Sequence, residues 1–356
     1  MQAKTTRLII GFGLVLLTGA LLFTVGIPAL AKQAQASEAA SPPGQAVEAS
    51  TAVVDLCAKA GSLTMPDGVT VDTWGFALKP AGLACTDASV EAQVPGPTLR
   101  FDVGTQVTVT LHNALSEHVA MSFPGQELPP DPLGAAPAGT ATYAFQASRP
   151  GTYLYESGTL TGTAAPIQVA MGLYGALVVD PARTGTAYGT PETAYGREAV
   201  LVLSEIDPVL NADPSNYNFL DYKPMYWLIN GKAYPETEPL GVSPGQRLLL
   251  RYVNASLSHN TMTSLGEDQE VIAKGGYPLN HPYEGVSHII PAGQTWDTIV
   301  TAPDDANLGD RYALYNRNWQ VTNAGDYPGG MMTSVVVEPY ELYLPLILVE
   351  PSPFPF

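Results

Sequence analysis

The sequence predicts an all-β chain of two tandem Greek-key β-sandwich domains, and three observations carry that prediction. The first is an internal repeat. Leu99 to His118 (LRFDVGTQVTVTLHNALSEH) lies without a gap on Leu240 to His259 (LGVSPGQRLLLRYVNASLSH), sharing Leu, Gly, Asn-Ala and the final His. Pro137-Ala138-Gly139 then matches Pro291-Ala292-Gly293, and Gly175 to Pro181 (GALVVDP) matches Thr333 to Pro339 (TSVVVEP). Collinear matches of this kind mark a duplicated unit. The second observation is period-two alternation, as in Val107, Val109 and Leu111 against Thr108, Thr110 and His112, which is the pattern of a strand with one buried face. Denser apolar runs at 199–203, 248–250 and 335–337 suit strands buried on both sides. The third is punctuation: 34 Gly and 32 Pro break the chain into short segments, and no long amphipathic helix stands out.

The elements follow in order. Residues 1–31 read as a signal peptide or N-terminal anchor: Lys4 and Arg7 precede an apolar run from Leu8 to Val25, followed by Ala29-Leu30-Ala31, a cleavage-like site. The run reaches the lower edge of a membrane span, so an uncleaved anchor stays open. Either way the chain is expected outside the cytoplasm, secreted or held at the membrane by this segment alone. Residues 32–50, rich in Ala, Ser, Gln and Pro, read as a flexible tether. The repeat sets the first domain at 51–181 and the second at 198–340, with a Gly, Thr and Tyr-rich linker at 182–197. Residues 341–356 (ELYLPLILVEPSPFPF) form an apolar, Pro-rich tail too short to cross a bilayer. An edge strand, a strap over a sandwich, or a docking tag would each suit it. Cys57 and Cys85 are the only cysteines, and an even count in an exported chain predicts a disulfide between them. The formal charge of −17 disfavours nucleic acid and anionic membrane as partners.

The segments GPTLRFDVGTQVTVTLHNAL, GTYLYESG, MGLYGALVVDP, INGKAYP and SPGQRLLLRYVNA resemble the multicopper oxidase family, in the family's order from Pro95 to Pro339. The resemblance implies that both domains are cupredoxin-like. It also implies four paired-histidine motifs and one cysteine as copper ligands, and at those places this chain departs from the family. The first motif, HxHG, falls on Ser122, Phe123, Pro124 and Gly125, and the second, YHSH, on Tyr155, Glu156, Ser157 and Gly158. The third, HPxHxHG, falls on Asn260, Thr261, Met262, Thr263, Ser264, Leu265 and Gly266. The former ligand positions are thus Ser122, Pro124, Glu156, Gly158, Asn260, Thr263 and Leu265. The last motif belongs near Leu314 to Met332, a stretch with neither His nor Cys. Copper sites are built from imidazole, thiolate and thioether. No thiolate stands where a blue centre would need one, and five histidines are too few for the family's oxygen-reducing cluster.

The remaining polar residues offer weaker candidates. His118 and His259 occupy equivalent repeat positions, each followed three residues on by Met121 or Met262, a set that would suit copper(I). The plainer reading is a loop His satisfying backbone groups. His281 and His288, with Glu284 between them, read as part of a solvated loop containing Pro and Gly. Glu156 is a candidate general base in the former metal cleft, or a carboxylate neutralised by hydrogen bonds. No nucleophile elbow, zinc-protease motif or phosphate loop is present in the sequence. Phe123, Pro124, Met262 and Leu265 are expected to fill the metal volume with carbon. The expectation is an exported protein without a cofactor, copper being the open alternative, that binds another extracytoplasmic protein, a glycan or itself. A copper-binding oxidoreductase or carrier using His118, Met121, His259 and Met262, and a metal-independent enzyme using Glu156, are the alternatives.

Overall fold

A computed structural model describes residues 50–158 and 165–340. The expected leader, the tether up to residue 49 and the tail at 341–356 lie outside the described residues. The first half contains β1 (Thr51–Thr64), β2 (Thr70–Leu78), β3 (Gly96–Asp102), β4 (Gln106–Asn113), β5 (Met121–Ser122), β6 (Thr140–Gln146), β7 (Gly151–Ser157), a short helix α1 (Ala165–Ala170) and β8 (Tyr174–Asp180). The second contains β9 (Arg197–Ile206), α2 (Pro208–Ala212), β10 (Tyr226–Ile229), β11 (Leu240–Val242), β12 (Arg247–Asn254), β13 (Asn260–Ser264), β14 (Gln269–Lys274), β15 (Tyr277–Gly285), β16 (Ser287–Ile290), β17 (Thr295–Thr301), β18 (Arg311–Asn316) and β19 (Met332–Val337).

The duplication extends to topology. The sheets of the first half run β2-β1-β4-β6 and β3-β8-β7-β5; those of the second run β10-β9-β12-β17-β14-β15 and β11-β19-β18-β13-β16. Removing β14, β15 and β16 leaves the same order twice, with the same parallel pairs: β1 on β4 and β9 on β12, β3 on β8 and β11 on β19. The register agrees with the sequence match, since Leu99 opposes Leu177 where Leu240 opposes Val335. One match is offset. Ala138 and Gly293 are the residues that donate back to the Asn113 and Asn254 carbonyls, and both have positive φ, 58° and 70°. The Pro-Ala-Gly triplets therefore align one residue apart in space.

The shared Asn-Ala has a structural cause. Asn113 Nδ2 donates to the carbonyls of Glu117 and Ala135, and Asn254 Nδ2 to those of Ser258 and Ile290. Each Asn thereby closes the turn after its strand and ties it to a neighbouring segment, the bridge at Ala135 in the first half and β16 in the second.

Alternation carries the packing as expected. Val107, Val109 and Leu111 are buried in the first core, with Phe123, Tyr143, Phe145 and Tyr155. Leu248 and Leu250 face the second core while Leu249 packs on the opposite face against Ala187 and Ile299, so β12 is buried on both sides. Leu154 and Ala176 of the first half share a further core with Val202 and Val253 of the second. This joint core is why the described residues form one compact unit. Cys57 and Cys85 form the expected disulfide.

Candidate functional site

In the first half, antiparallel pairing of β5 with β7 sets Ser122 opposite Glu156 and Met121 opposite Ser157, bringing the first two motif positions side by side. Phe123 is buried among Tyr143, Phe145 and Tyr155, with ring centroids 5.1–6.2 Å apart. Tyr143 donates to Asp131 at 3.0 Å and accepts from the Met121 N–H at 3.0 Å. Ser157 Oγ lies 2.5 Å from Gln168 Oε1 on α1, and Gln168 Nε2 donates to the His118 carbonyl at 2.8 Å. The motif glycines persist for a packing reason: Gly125 and Gly266 have φ of 87° and 103°, and a Cβ at either would stand 2.7 Å from the ring of Tyr153 or Tyr312.

Glu156 is half-buried and has no ion pair among the described residues; burial pushes its carboxyl up to about 7. Its folded pKa exceeds the unfolded value of 4.5, so the charged form costs stability that is lost as pH rises from about 4.5 to 7. Glu156→Gln is expected to raise stability at pH 8 by about 2 kcal/mol and to change it little at pH 4. Urea denaturation at the two pH values measures this, and an equal effect at both would remove burial of a charge as the cause.

In the second half, β13 pairs with β18 and sets Met262 opposite Asn316. At the former ligand position Asn260, fully buried, Nδ2 donates to Asn254 Oδ1 at 2.8 Å and Ser256 Oγ at 3.0 Å. Asn316 Nδ2 reaches Asn260 Oδ1 at 2.6 Å, Gln320 Oε1 at 2.7 Å and Met331 Sδ at 3.3 Å, and Asn316 Oδ1 accepts from the Asn318 N–H at 2.9 Å. Sequence reasoning located Asn260 and the stretch holding the other three, but not their convergence.

Copper is the metal the resemblance implies, and these residues do not fit it. Amide oxygens and nitrogens replace imidazole and thiolate, the Asn260 and Asn316 amides are engaged with each other and with Asn254, Ser256, Asn318 and Gln320, and Met331 is the one soft donor in the cluster. Ser122, Pro124, Glu156 and Gly158 present a hydroxyl and a carboxylate at the equivalent place in the first half. Among the described residues no group of three or more His, Cys, Asp or Glu is placed to hold a metal ion.

Two of the apolar substitutions depart from expectation. Pro124 is exposed, and Leu265 is 52% exposed because the chain turns at Gly266 just beyond β13, so neither fills a metal volume; Phe123 and Met262 are buried. Of the His and Met set, Met121 lies in the first core and Met262 in the second, His259 is exposed, and His118 has a buried Nδ1 without a hydrogen bond. Thr263 shares a hydrogen bond with Ser287. The expected loop at His281 and His288 is instead two strands, β15 and β16. His288 is buried between Tyr283 and Trp296 and meets the Gln269 carbonyl at 3.1 Å.

A buried ionic network at the joint between the halves had no motif to announce it. Arg251, fully buried on β12, donates through Nε to Glu198 and through Nη1 to Thr152 Oγ1 at 2.9 Å and Asp297 Oδ2 at 3.4 Å. The Thr152 hydroxyl on β7 in turn donates a hydrogen bond to Asp297 Oδ1 at 2.6 Å, and Tyr188 of the linker also donates to Asp297. Arg100 on β3 closes the outer side, 2.5 Å from Glu198 and 3.5 Å from Asp180. Burial would raise Glu198, but Arg251 and Arg100 outweigh it and hold the carboxyl below its usual range. Burial dominates at Asp297, which stays raised despite Arg251. The one available sequence signal was a charge inside each of two apolar strands, Arg251 in RLLLRYVN and Asp297 in TWDTIVT.

With this geometry in place, the chain can be set beside known proteins. Residues 79–184 match the family model of multicopper oxidases. Laccase-3 of Oryza sativa subsp. japonica is 26% identical over 278 residues, 70% of this chain and 45% of that protein. Copper resistance protein A of Escherichia coli is 23% identical over 61% of this chain and 43% of its own length. The chain thus spans about half the length of such relatives. Among solved structures, the blue copper oxidase from Nitrosomonas europaea superposes with a TM-score of 0.69 at 22% identity, covering 81% of this chain and 86% of that one. The multicopper oxidase mgLAC gives 0.69 at 23% identity, covering 83% and 89%. At these identities the structures speak for the fold, which is cupredoxin-like in both halves.

Proposed function

We propose that this chain, multicopper oxidase-like in sequence and fold, is an exported scaffold whose copper positions have been given over to packing and hydrogen bonding, and that it acts by binding or assembly. One observation carries the reading: Asn260, Asn316, Gln320 and Met331 converge where two motif strands meet, with Asn316 Nδ2 set against the Asn260 and Gln320 oxygens and the Met331 sulfur, and Asn260 Nδ2 bonded to Asn254 and Ser256. A buried amide cluster that is satisfied internally holds the strand ends together and leaves no set of lone pairs aimed at a common point. Lys4, Arg7 and the apolar run from Leu8 to Val25 support export, as does the Cys57–Cys85 disulfide, which persists in oxidising compartments. Among the described residues no helix is long and apolar enough to cross a membrane. The excess of acidic side chains favours an uncharged or basic partner.

The test is metal content. The mature protein is purified without an affinity metal, challenged with copper(I) and copper(II), desalted and measured by elemental mass spectrometry. Less than about a tenth of an equivalent is expected, whereas Asn260→His combined with Asn316→Cys and Gln320→His should retain copper and turn blue, because two imidazoles, a thiolate and the Met331 thioether form a blue-copper donor set. A full equivalent retained by the unaltered protein overturns the reading and turns attention to His118, Met121, His259 and Met262.

A further inference from the structure

The β14–β15 hairpin has no counterpart in the first half, and its tip sits on the joint between the halves. Lys274 pairs with Tyr277 across the two-residue turn Gly275-Gly276, whose φ values of 58° and 74° are those of a tight hairpin turn. A Cβ at Gly276 would stand 2.3 Å from the Tyr153 ring of β7, so the absence of a side chain lets the tip close on the first half. Beside this contact lies a cleft of about 310 Å³, walled by Pro124, Gly125 and Tyr153 from the first half and by Lys274, Tyr277 and Gln294 from the second. Pro124, Gly125 and Gln294 are exposed and Tyr277 is 57% exposed, so these walls face solvent instead of completing a core.

Two cations stand at the cleft. The Arg149 guanidinium lies 4.1 Å from the centroid of the Tyr277 ring and donates to the Gly125 carbonyl at 3.3 Å, touching two of the walls. Lys274 is itself a wall; its ammonium lies 3.9 Å from the centroid of Trp296 and 5.1 Å from that of Tyr283. Both side chains rest on aromatic rings, and among the described residues neither forms an ion pair with a carboxylate. The chain has 33 acidic against 16 basic side chains, yet no acidic residue lines this cleft.

We propose that the cleft binds a small acidic sugar, its carboxylate held by Arg149 and Lys274 and its ring laid against the open side of Tyr277. The inference names a ligand for the binding role proposed above and rests on that reading. A guanidinium presents paired N–H groups that match the two oxygens of a carboxylate, and an ammonium adds a point charge. Tyrosine offers a flat amphipathic surface to the C–H face of a sugar ring, and the Gln294 amide can meet its hydroxyls. Walls that face solvent favour a hydrophilic body over an aromatic one. Small-ligand sites run from about 300 to 1,000 Å³, so this one takes a unit or two of sugar. The acidic excess elsewhere does not forbid an anion here, because at physiological salt its field is screened within about 8 Å.

Calorimetric titration of the full-length protein with digalacturonate tests this. One site is expected, with galactobiose, which lacks the carboxylates, and benzoate, which lacks the sugar, each about tenfold weaker or more. Arg149→Gln, Lys274→Gln and Tyr277→Ala should each weaken digalacturonate about fivefold, whereas Arg311→Gln, at an exposed cation of β18 outside the cleft, should not. No binding of digalacturonate, equal binding of galactobiose or benzoate, or variants at the cleft that bind as well as the unaltered protein overturns the proposal. A second measurement needs no variant. Digalacturonate should slow amide hydrogen exchange at 274–277 and 293–295; protection confined to other segments overturns the site. Copper content is measured separately, so the scaffold reading and the sugar site can each fail alone.

Discussion

Replacing Arg251 with Met is expected to lower the unfolding free energy by about 3–5 kcal/mol at pH 8, because Met fills much of the volume but leaves Asp297 buried without its cation and Glu198 paired with Arg100 alone. Thr152 loses the donor to its oxygen at the same time, so the bond linking β7 to the second half weakens. The sign of the pH dependence follows from the two carboxylates. Glu198 is held below its usual range, and its contribution is present above the unfolded value of 4.5 and lost as pH falls. Asp297 is raised, and its charged form costs more stability as pH rises; without Arg251 that cost grows. Both effects make the loss in Arg251→Met largest at alkaline pH and smaller near pH 4. Denaturant unfolding at pH 4, 6 and 8 measures it. A loss below about 1 kcal/mol at every pH would mean that water reaches the network and that the joint between the halves rests on its shared apolar core alone.

Arg251 also shows where sequence reading ends. The duplicated frame was legible because it depends on local rules: period-two burial in β4, the turn-closing Asn113 and Asn254, and glycines at 125 and 266 held by positive φ and a tyrosine ring. Such features recur at matching sequence positions in the two halves. The ionic network joins residues between 100 and 297 in sequence, and a strand run shows only that one charge sits among apolar neighbours. Its partners are set by how β7 lies across β12 and β17, which no local pattern encodes. The loop expected at His281 and His288 failed for a different reason. Pro278, Pro282 and Gly285 read as turn residues, yet β15 is an edge strand, where a missing N–H on the outer side costs little. Leu265 was expected to pack because its type is apolar; the turn at Gly266 points it outward instead.

Asn316 allows the amide cluster to be tested apart from metal binding. Its Nδ2 is the donor at the centre, with Asn260 Oδ1 and Gln320 Oε1 both acceptors. Asn316→Leu keeps the approximate shape and removes that donor, leaving the buried Asn260 Oδ1 without its partner, while the half-buried Gln320 and the exposed Asn318 N–H can turn to water. A loss of about 2–4 kcal/mol is expected, and it should be nearly independent of pH. Asn316→Asp presents a carboxylate oxygen to the same two acceptors. Burial and the facing oxygens raise its folded pKa above the unfolded value, so the penalty is small while the group is protonated and grows as pH rises. At pH 4 the acid proton can replace one Nδ2 hydrogen and donate to Asn260 or Gln320, so Asp should be better tolerated than Leu. At pH 8 the order should reverse, with a loss of about 3 kcal/mol or more for Asp, since a buried anion without a cation costs more than an unpaired neutral group. The reversal is the diagnostic outcome. If Leu and Asp cost the same at both pH values, solvent reaches the cluster, its lone pairs are open to a ligand, and the argument that this place can no longer take a metal fails with it.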